Sequence, residues 1–420
     1  MFIVYINHHL ISMNLSVKSE TDLLKGVIVH TPGREVSLVN PELKDELLFD
    51  DIIFEEDARR EHLDMLKIFK TAMPEDGTIY EITDLFLECL QTEEARTFAI
   101  EKLIKRLTEE NLHTIEQQLR QLESKDLLRF IIDGSSDAIK GFAMLPTPNM
   151  LFTRDLAAVV GESILLSRPA KKARVREAIL METLIEFHPL FADARYKTIK
   201  TAEQESIEGG DVMVASENVV LIGMSERTSF SGLMTAAGKL LSQGIEHVLA
   251  VDIPKQRSSM HLDTIFTFTN RDECIVFPPA ITERRDNVVA LTSQNGSISA
   301  ETLPSVKRAL EERLSREFTF IKCGGEQRTN QFREQWTDGA NVFALAPGII
   351  VGYGRNTNTF RELGKHGYEL INQHEFIEEY KDQPFDPTNK KIAISFQGHE
   401  LCRGRGGARC MTMPIERVTS

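Results

Sequence analysis

The apolar positions of this chain fall into short runs that pair around tight turns. Four such pairs are AAVV-GE-SILL, VMVA-SE-NVVLI, IFTF-TNRDE-CIVF and VFAL-APG-IIVGYG, with turns near positions 162, 217, 271 and 347. Short apolar runs separated by turn residues predict β-hairpins. The first three turns are 55 and 54 residues apart, and helical stretches follow three hairpins, at 171–187, 229–241 and 357–363. The pattern predicts an α/β fold of repeated units, although the last interval, 76 residues, departs from the period.

One region has a different pattern. Residues 78–133 contain neither Gly nor Pro, and their leucines and isoleucines recur at intervals of three and four. This period predicts helices, and twelve acids against seven bases predict a solvated outer face. We therefore predict three parts: an N-terminal extension at 1–13, a helical domain inserted at 78–133, and an α/β domain formed by 14–77 and 134–420.

The composition narrows the class of protein. The chain has 420 residues and a formal net charge of −14. This acidic excess argues against a general nucleic-acid binder, because such proteins neutralise phosphates with Lys and Arg. No apolar run approaches the roughly 18 residues of a membrane span. Five cysteines are scattered without a CxxC pair, which favours a reducing compartment, the cytoplasm.

Candidate chemistry is concentrated near the C-terminus, in the segment CRGRGGARCMTMP. Arg403, Arg405 and Arg409 crowd this segment. Positive charge lowers the pKa of a thiol, so Cys410 is a candidate nucleophile. Three other interpretations stay open: a buried structural cysteine, a disulfide between Cys402 and Cys410, and an RGG-type RNA-binding tract.

Acids and a histidine stand beside the predicted strands. MHLDT places His261 and Asp263 before one strand, IEGGDV places Glu208 and Asp211 before another, and LFTRD places Asp155 before a third. A thiolate enzyme needs a proton carrier, which is usually histidine. Turn capping explains each carboxylate singly, but several carboxylates around a thiolate suit a planar cation.

Three further arginines are candidates for binding the other end of such a ligand. Arg174, Arg227 and Arg405 would suit a carboxylate group. A cation at one end and an acid at the other describe arginine, and spacing alone leaves other guanidino acids open.

At these residues the chain resembles the arginine deiminases. The motifs are PNMLFTRD (148–155), EGGDV (208–212), GMSERT (223–228), MHLDT (260–264) and GRGGARCMTMP (404–414). LLFDDI (47–52) and REQWTDGANVFALAPG (333–348) fit as well. The resemblance runs from about Lys25 to the C-terminus. It implies a five-bladed, pseudo-symmetric α/β propeller of the pentein type with an inserted helical domain.

The resemblance also implies an activity and the residues that perform it. The activity is hydrolysis of L-arginine to L-citrulline and ammonia, the first step of fermentative arginine degradation. Cys410 would attack the guanidinium carbon and form a covalent thiouronium. His261 would act as general acid and then as base, Glu208 would orient it, and Asp155 and Asp263 would hold the guanidinium. No metal or organic cofactor is implied.

Further residues follow from the same motifs. Asn149, Arg174 and Arg227 would bind the substrate carboxylate, with Arg405 on a loop that closes over it. Asp211 would have a supporting role. The expected partner is a small molecule, with no nucleic acid and no membrane, and a homo-oligomer stays open.

Two alternatives to this function remain. One is another pentein enzyme acting on a related guanidine such as agmatine. The other is a non-catalytic binding protein whose RGG-like tail contacts RNA or a partner, which predicts salt-sensitive binding that does not depend on Cys410.

Overall fold

The structure is a computed structural model that describes residues 15–107, 112–139 and 142–419. The predicted extension at 1–13 lies outside these residues. The strands are β1 (Leu23–Val29), β2 (Thr78–Glu81), β3 (Ala157–Val160), β4 (Ser163–Leu166), β5 (Val212–Ser216), β6 (Val219–Met224), β7 (His247–Asp252), β8 (Phe266–Asn270), β9 (Glu273–Val276), β10 (Val288–Gln294), β11 (Ser297–Leu303), β12 (Thr319–Lys322), β13 (Phe343–Ala346), β14 (Ile349–Tyr353), β15 (Glu369–Asn372), β16 (Ile392–Phe396) and β17 (Met413–Val418).

The helices alternate with these strands and cluster in one region before β3. They are α1 (Arg34–Ser37), α2 (Glu55–Ala72), α3 (Ile82–Cys89), α4 (Glu93–Ile104), α5 (Leu112–Gln121), α6 (Ser124–Asp133), α7 (Val175–Phe187), α8 (Phe230–Ser242), α9 (Val306–Leu314), α10 (Arg328–Trp336), α11 (Thr357–Lys365) and α12 (Gln373–Tyr380). None of them, within the described parts of the chain, combines the length and the apolar character that crossing a membrane requires.

The described strands form five sheets. Their orders are β17-β1-β2, β3-β4, β11-β10-β7-β6-β5, β12-β9-β8 and β13-β14-β16-β15. The four predicted hairpins are present as the antiparallel pairs β3–β4, β5–β6, β8–β9 and β13–β14. In three units the second hairpin strand then pairs in parallel with a later strand, in β6–β7, β9–β12 and β14–β16. A parallel pair needs a long crossover, and helices supply it.

The irregular interval of 76 residues has a structural cause. The hairpin β10–β11 is inserted between β9 and β12, and β10 pairs antiparallel with β7 of the preceding unit. The third unit is therefore longer because it contributes two strands to its neighbour's sheet.

The helical region differs from its prediction at its beginning. Thr78–Glu81 is a strand, β2, which pairs in parallel with β1, so helices begin only at Ile82. The helix prediction rested on the composition of the whole region, whereas Thr78, Ile79 and Tyr80 are residue types that favour strands. Helix α6 ends at Gly134, whose φ of 79° favours glycine and where a Cβ would lie 2.2 Å from the carbonyl oxygen of Met144.

Helices α3–α6 share a core with the α/β part of the chain. Apolar side chains of all four helices belong to the same buried cluster as those of β3, β4 and α7. Burial of this shared apolar surface therefore fixes the helical region against α7. The division into an inserted domain at 78–133 stays a prediction.

One position recurs at the entrance to five of the strands. Asp155 precedes β3, Asp211 precedes β5, Asp263 precedes β8, Asn341 precedes β13 and Cys410 precedes β17. All five side chains are buried. Each unit therefore places a polar or thiol side chain shortly before the first residue of its strand, and these side chains lie at the same end of the sheets.

Candidate active site

The strand entrances meet around Cys410. The backbone N–H of Cys410 donates to Oδ1 of Asn341 at 3.0 Å, and Nδ2 of Asn341 donates to the carbonyl oxygen of Asp263 at 2.9 Å. The thiol donates to Oδ2 of Asp263 at 3.5 Å. Asn341 thus fixes the nucleophile candidate to the turn before β8.

His261 lies between two of the predicted carboxylates. Its Nε2 is 2.8 Å from Oε2 of Glu208, and its Nδ1 is 3.6 Å from Oδ1 of Asp155. A Cβ on Gly210 would lie 2.7 Å from Asp155 Oδ1 and 2.8 Å from the Cγ of His261. The second glycine of the motif EGGD therefore leaves the space in which the carboxylate and the imidazole approach each other.

Electrostatics keep this pair charged. Burial lowers the pKa of His261, but the charge of Asp155 and the hydrogen bond with Glu208 outweigh it and raise the pKa to about 9. Burial raises the pKa of Glu208, but the hydrogen bond from His261 and the charge of Arg227 bring it below its usual range. At neutral pH the imidazole is therefore protonated and Glu208 is ionised.

The expectation of a lowered thiol pKa at Cys410 is wrong for this structure. Burial, and then the charges of Asp263, Asp155 and Asp338, raise that pKa well above its usual value, and Arg409 offsets only part of the increase. The positive charge near the sulfur is therefore outweighed by burial and by the surrounding carboxylates.

The three nearby arginines have other partners. Arg409 donates to Oδ2 of Asp263 at 2.9 Å and to Oε1 of Glu20 at 3.0 Å, so its charge is balanced. Arg403, whose side chain is partly exposed, pairs with Asp51 at 2.9 Å and with Glu400 at 3.1 Å.

Arg405, the third arginine, stacks over the ring of Trp336, with its guanidinium carbon 3.7 Å from the ring centroid. Its guanidinium therefore lies against an aromatic face rather than against a carboxylate.

Asp211 organises the turns that carry the other groups. Its Oδ2 accepts the hydroxyls of Ser225 and Thr228, both at 2.6 Å, and its Oδ1 accepts the N–H of Leu262 at 2.8 Å. Burial raises its pKa to about 7, against the opposing effect of His261 and the hydroxyls. This carboxylate joins the turn before β5 to the turns after β6 and before β8, which agrees with a supporting role.

The residues predicted for a substrate carboxylate divide into two groups. Arg174 is engaged by protein carboxylates: it contacts Asp155 and donates from Nε to Oε2 of Glu177 at 2.9 Å. Nδ2 of Asn149 donates to the carbonyl oxygen of Leu47 at 2.8 Å. Arg227 and Arg405 are less engaged: Arg227 lies 3.7 Å from Glu208, and no carboxylate pairs with Arg405 among the described residues.

Several buried polar atoms at this site have no hydrogen-bond partner among the described residues. On the acidic side these are Oδ1 of Asp155 and Oδ1 of Asp263; on the basic side they are Nε of Arg227 and all three guanidinium nitrogens of Arg405. Leaving such a group unpaired costs about 1–3 kcal/mol, and more when it is charged. The site is therefore complementary to a molecule with a cation at one end and an anion at the other.

A cavity in front of Cys410 is lined by groups of both kinds. Its volume is about 20 Å³, and Asp155, Arg227, Arg405 and Arg257 are among its lining residues. Arg257 donates to the carbonyl oxygen of Leu48 and pairs with Asp50 at 3.2 Å, which ties the LLFDDI segment to the turn before His261.

One group of donors has the spacing of a metal site. Single donor atoms of Asp155, Glu208 and His261 lie within 4.8 Å of one another. Metal binding requires a neutral imidazole, and the raised pKa of His261 favours the proton instead. These three groups fit a bound organic cation better than a metal ion.

Sequence reasoning missed three residues that this geometry brings into the site. Asn341 stands at the strand entrance of the fourth unit, so aligning the repeats on their turns would have found it. Glu177 on α7 gave no motif, and its contact with Arg174 is visible only in the fold. Trp336 lies in the motif REQWTDGAN, but stacking on Arg405 requires the closing loop to pack against α10.

The fold defines the general class of protein. The N-terminal domain of ArgZ bound to product, an arginine dihydrolase of cyanobacteria, is similar with a TM-score of 0.53 and 14% identity, over 94% of this chain and 98% of that chain. A dimethylarginine dimethylaminohydrolase adduct with S-methyl-L-thiocitrulline is similar with a TM-score of 0.50 and 14% identity, over 93% and 99%. Such identities establish the fold alone, the α/β fold of the pentein enzymes.

Sequence comparison then identifies the family. The arginine deiminase family model matches residues 45–417. Arginine deiminases of Listeria monocytogenes serotype 4a (strain HCC23) and of Oenococcus oeni are each 32% identical over 96% of this chain, covering 98% and 97% of their own lengths. This chain belongs to the arginine deiminase family, which confirms the resemblance noted from the motifs.

Proposed function

We propose that this chain hydrolyses L-arginine to L-citrulline and ammonia through a covalent thiouronium on Cys410. The observation that carries this proposal is the set of unpaired polar atoms: one carboxylate oxygen each of Asp155 and Asp263, and guanidinium nitrogens of Arg227 and Arg405. Asp155 and both arginines line the same cavity as Cys410, and Asp263 accepts from the thiol. A guanidinium and an α-carboxylate on one small molecule satisfy both ends.

Asp155 and Asp263 hold the guanidinium nitrogens and present the planar carbon to the sulfur. Such positioning accounts for much of the acceleration when two reactants are fixed in line. Arg227 and Arg405 bind the α-carboxylate. Asn149 and Arg174 are assigned to the same end, and Arg174 also holds Asp155 in place through their contact.

Substrate binding ionises the nucleophile. In the free site the carboxylates keep Cys410 in its thiol form. A guanidinium bound between Asp155 and Asp263 neutralises their effect and places positive charge beside the sulfur, which favours the thiolate. The thiol proton is released to solvent, because His261 already carries its own proton. The nucleophile therefore forms only when its target is present.

His261 carries the protons. The thiolate attacks the guanidinium carbon, and the imidazolium donates its proton to the departing nitrogen, so that ammonia leaves and a cationic thiouronium remains. Neutral His261 then takes a proton from water, which attacks the same carbon; the C–S bond breaks and the thiolate returns. The remaining proton leaves with ammonia as ammonium. Glu208 stabilises the imidazolium, and thiolate and imidazole together supply the chemistry without a cofactor.

The architecture supports a closed arrangement of five units. We propose the five-bladed pentein propeller, because the C-terminal strand β17 pairs antiparallel with the N-terminal strand β1 and so joins the last unit to the first. The region 78–133 is the proposed insertion, with its strand β2 belonging to the first sheet. All five cysteines are free and buried, which supports the proposed cytoplasmic location.

The decisive experiment replaces the nucleophile. Cys410→Ala should reduce citrulline formation from L-arginine by at least roughly 10⁴-fold, the scale expected when a covalent nucleophile is lost. Cys402→Ala is the matched control, since it removes another buried thiol of the same segment. Acid quenching during turnover followed by mass spectrometry should find an adduct on the Cys410 peptide. Turnover that survives Cys410→Ala would refute the mechanism.

The substrate is tested separately with agmatine, which lacks the carboxylate. Arg227 and Arg405 would have no partner on agmatine, so kcat/KM should be at least about 10²-fold lower than with L-arginine. Preference for agmatine would assign this chain a different guanidine substrate.

A further inference from the structure

A second cavity lies beside α7, outside the active site. Its volume is about 230 Å³, and it shares no lining residue with the cavity in front of Cys410. It is formed by the segment from the end of β4 into α7, by Arg106 just after α4, and by residues near position 200. Ligand pockets for drug-sized molecules measure about 300–1,000 Å³, so this cavity suits something more compact.

The lining of this cavity is strongly basic. Five cationic side chains contribute to it against two acidic ones; the cations are Arg106, Arg168, Lys171, Lys172 and Lys200. This local excess contrasts with a chain whose net charge is −14. A cleft lined by one sign of charge concentrates counter-ions of the other sign.

Existing ion pairs leave part of this charge unbalanced. Glu182, one of the two acids, is held by Lys102 at 2.9 Å and by Lys200 at 3.6 Å. Lys171 pairs with Glu226 at 2.7 Å. Arg168 and Lys172 have no carboxylate partner among the residues that the structure describes. These two cations are available to an anionic ligand.

A buried hydroxyl in the same cavity also lacks a partner. Thr201 lines the cavity, is 8% exposed, and its Oγ1 makes no hydrogen bond to any described residue. An unmade hydrogen bond at a buried hydroxyl is unfavourable by about 1–3 kcal/mol. A ligand oxygen would satisfy it, and this observation is independent of the charge.

The backbone around the cavity is fixed rather than loose. Arg168 exchanges backbone hydrogen bonds with Ile207 at 2.8 and 3.1 Å, and Leu166 donates to the carbonyl oxygen of Ile199 at 3.0 Å. The first turn of α7 adds Val175 to the lining, and a helix N-terminus carries partial positive charge. The cationic groups are thus presented on a preorganised frame.

We propose that this cavity binds a compact, multiply charged anion of the phosphate or phosphoryl class. Arginine offers a planar fork that matches phosphate oxygens, and lysine offers a point charge. The unpaired hydroxyl of Thr201 supplies one neutral donor. A monocarboxylate would balance only one of the two cations, Arg168 and Lys172, that have no carboxylate partner among the described residues.

The test measures anion binding to the full chain by calorimetry at constant ionic strength. Inorganic phosphate and pyrophosphate are the probes, with chloride and acetate as reference anions. Pyrophosphate should bind more tightly than phosphate if the site accepts a phosphoryl ester, and equally if it accepts free phosphate alone. Heats that chloride reproduces would overturn the proposal, because they would show general screening.

Variants locate the binding. Arg168→Gln combined with Lys172→Gln should weaken binding of the tighter probe by at least about tenfold, and Thr201→Val by about threefold. Lys70→Gln, which changes an exposed lysine on α2, is the matched control and should bind as the parent does. Arg405→Gln should also retain binding. Loss in Arg405→Gln, or no loss in the double variant, would place the anion in the active site or on the general surface and refute the inference.

Discussion

Two buried histidines of this molecule have nearly the same neighbours and different uses. His261 lies between Asp155 and Glu208, and His30 lies between Glu35 and Glu81, with Nε2 and Nδ1 at 3.2 and 2.9 Å from the two carboxylates. The carboxylates raise both pKa values against the effect of burial, to about 9 for His261 and to about 10 for His30.

The two centres differ in how completely their polar atoms are paired. Around His30, Glu35 accepts the N–H of Gly33 at 2.8 Å and Glu81 accepts the N–H of Thr31 at 2.7 Å, and each buried polar atom of these side chains has a partner. Around His261 several carboxylate and guanidinium atoms are unpaired. A buried histidine with a raised pKa is therefore not in itself a catalytic group; a partly unsatisfied set of charges beside it is what indicates a ligand.

The largest effect should separate the two histidines. His261→Gln removes the proton carrier and should lower kcat by roughly 10³-fold. His30→Gln leaves two buried carboxylates without their cation and should lower the free energy of unfolding by about 3 kcal/mol, with kcat per folded molecule nearly unchanged. Citrulline assays and denaturant titrations of both variants check this. A large loss of kcat in folded His30→Gln would contradict the distinction.

Much of this site could be predicted from its sequence, and the reasons for the failures are physical. Cys410, His261, Glu208 and Asp155 stand in motifs at strand entrances, which local patterns single out, while their roles follow from the family resemblance and stay predictions. The thiol pKa could not be read this way, because the partners of Arg409 are Asp263 and the distant Glu20.

The fold likewise contains elements that the sequence predicted and elements that it did not. The four hairpins were predictable because alternation and turn residues are local signals. The short strand β2 was missed because its four residues were read with the helical region that follows, although Thr78, Ile79 and Tyr80 favour strands and pair with β1. The hairpin β10–β11 escaped notice as well, although it accounts for the irregular interval.

Gly210 beside His261 and Gly33 beside Glu35, a partner of His30, allow a second comparison of the two centres. Gly210→Ala would place a Cβ 2.7 Å from Asp155 and 2.8 Å from His261, and should lower kcat/KM by roughly 10²-fold, because displacements of about 1 Å are that costly. Gly33→Ala is the matched control: its Cβ would lie 3.1 Å from the flexible end of Glu35. We expect nearly full activity from it. Equal losses in both variants would mean that general packing, not site geometry, is responsible.

The two histidines should also control different pH dependences, His261 that of kcat and His30 that of the free energy of unfolding. The imidazolium of His261 is the active form, so kcat should fall about tenfold per pH unit as pH rises above about 9. For His30 the folded pKa of about 10 lies above the unfolded 6.5. Its stabilisation is therefore complete below pH 6.5 and is lost as pH rises towards 10. His30→Gln should abolish that part of the change in stability and leave the decline in kcat unaltered.

The smallest expected effect comes from removing the Trp336 ring, which contacts the Arg405 guanidinium. Trp336→Leu removes the face on which Arg405 stacks, a contact worth about 0.5–2 kcal/mol. KM for L-arginine should rise roughly three- to tenfold with kcat little changed. Phe332→Leu, which alters an exposed aromatic residue on the same helix, is the control. An unchanged KM in Trp336→Leu would show that Arg405 is positioned by its own loop.

The small cavity in front of Cys410 has a consequence for covalent inhibitors. A volume of about 20 Å³ holds roughly one water molecule. The site must widen before L-arginine or a reagent of similar size reaches the thiol, and binding of a cation by the carboxylates favours that widening. Bulky alkylating reagents should therefore label the resting enzyme slowly, all the more because the thiol is not ionised. A small electrophile carrying an amidine would neutralise the two carboxylates before it reacts and would create the nucleophile that attacks it. Selectivity against this enzyme should thus come from the cation of the inhibitor rather than from the intrinsic reactivity of its warhead.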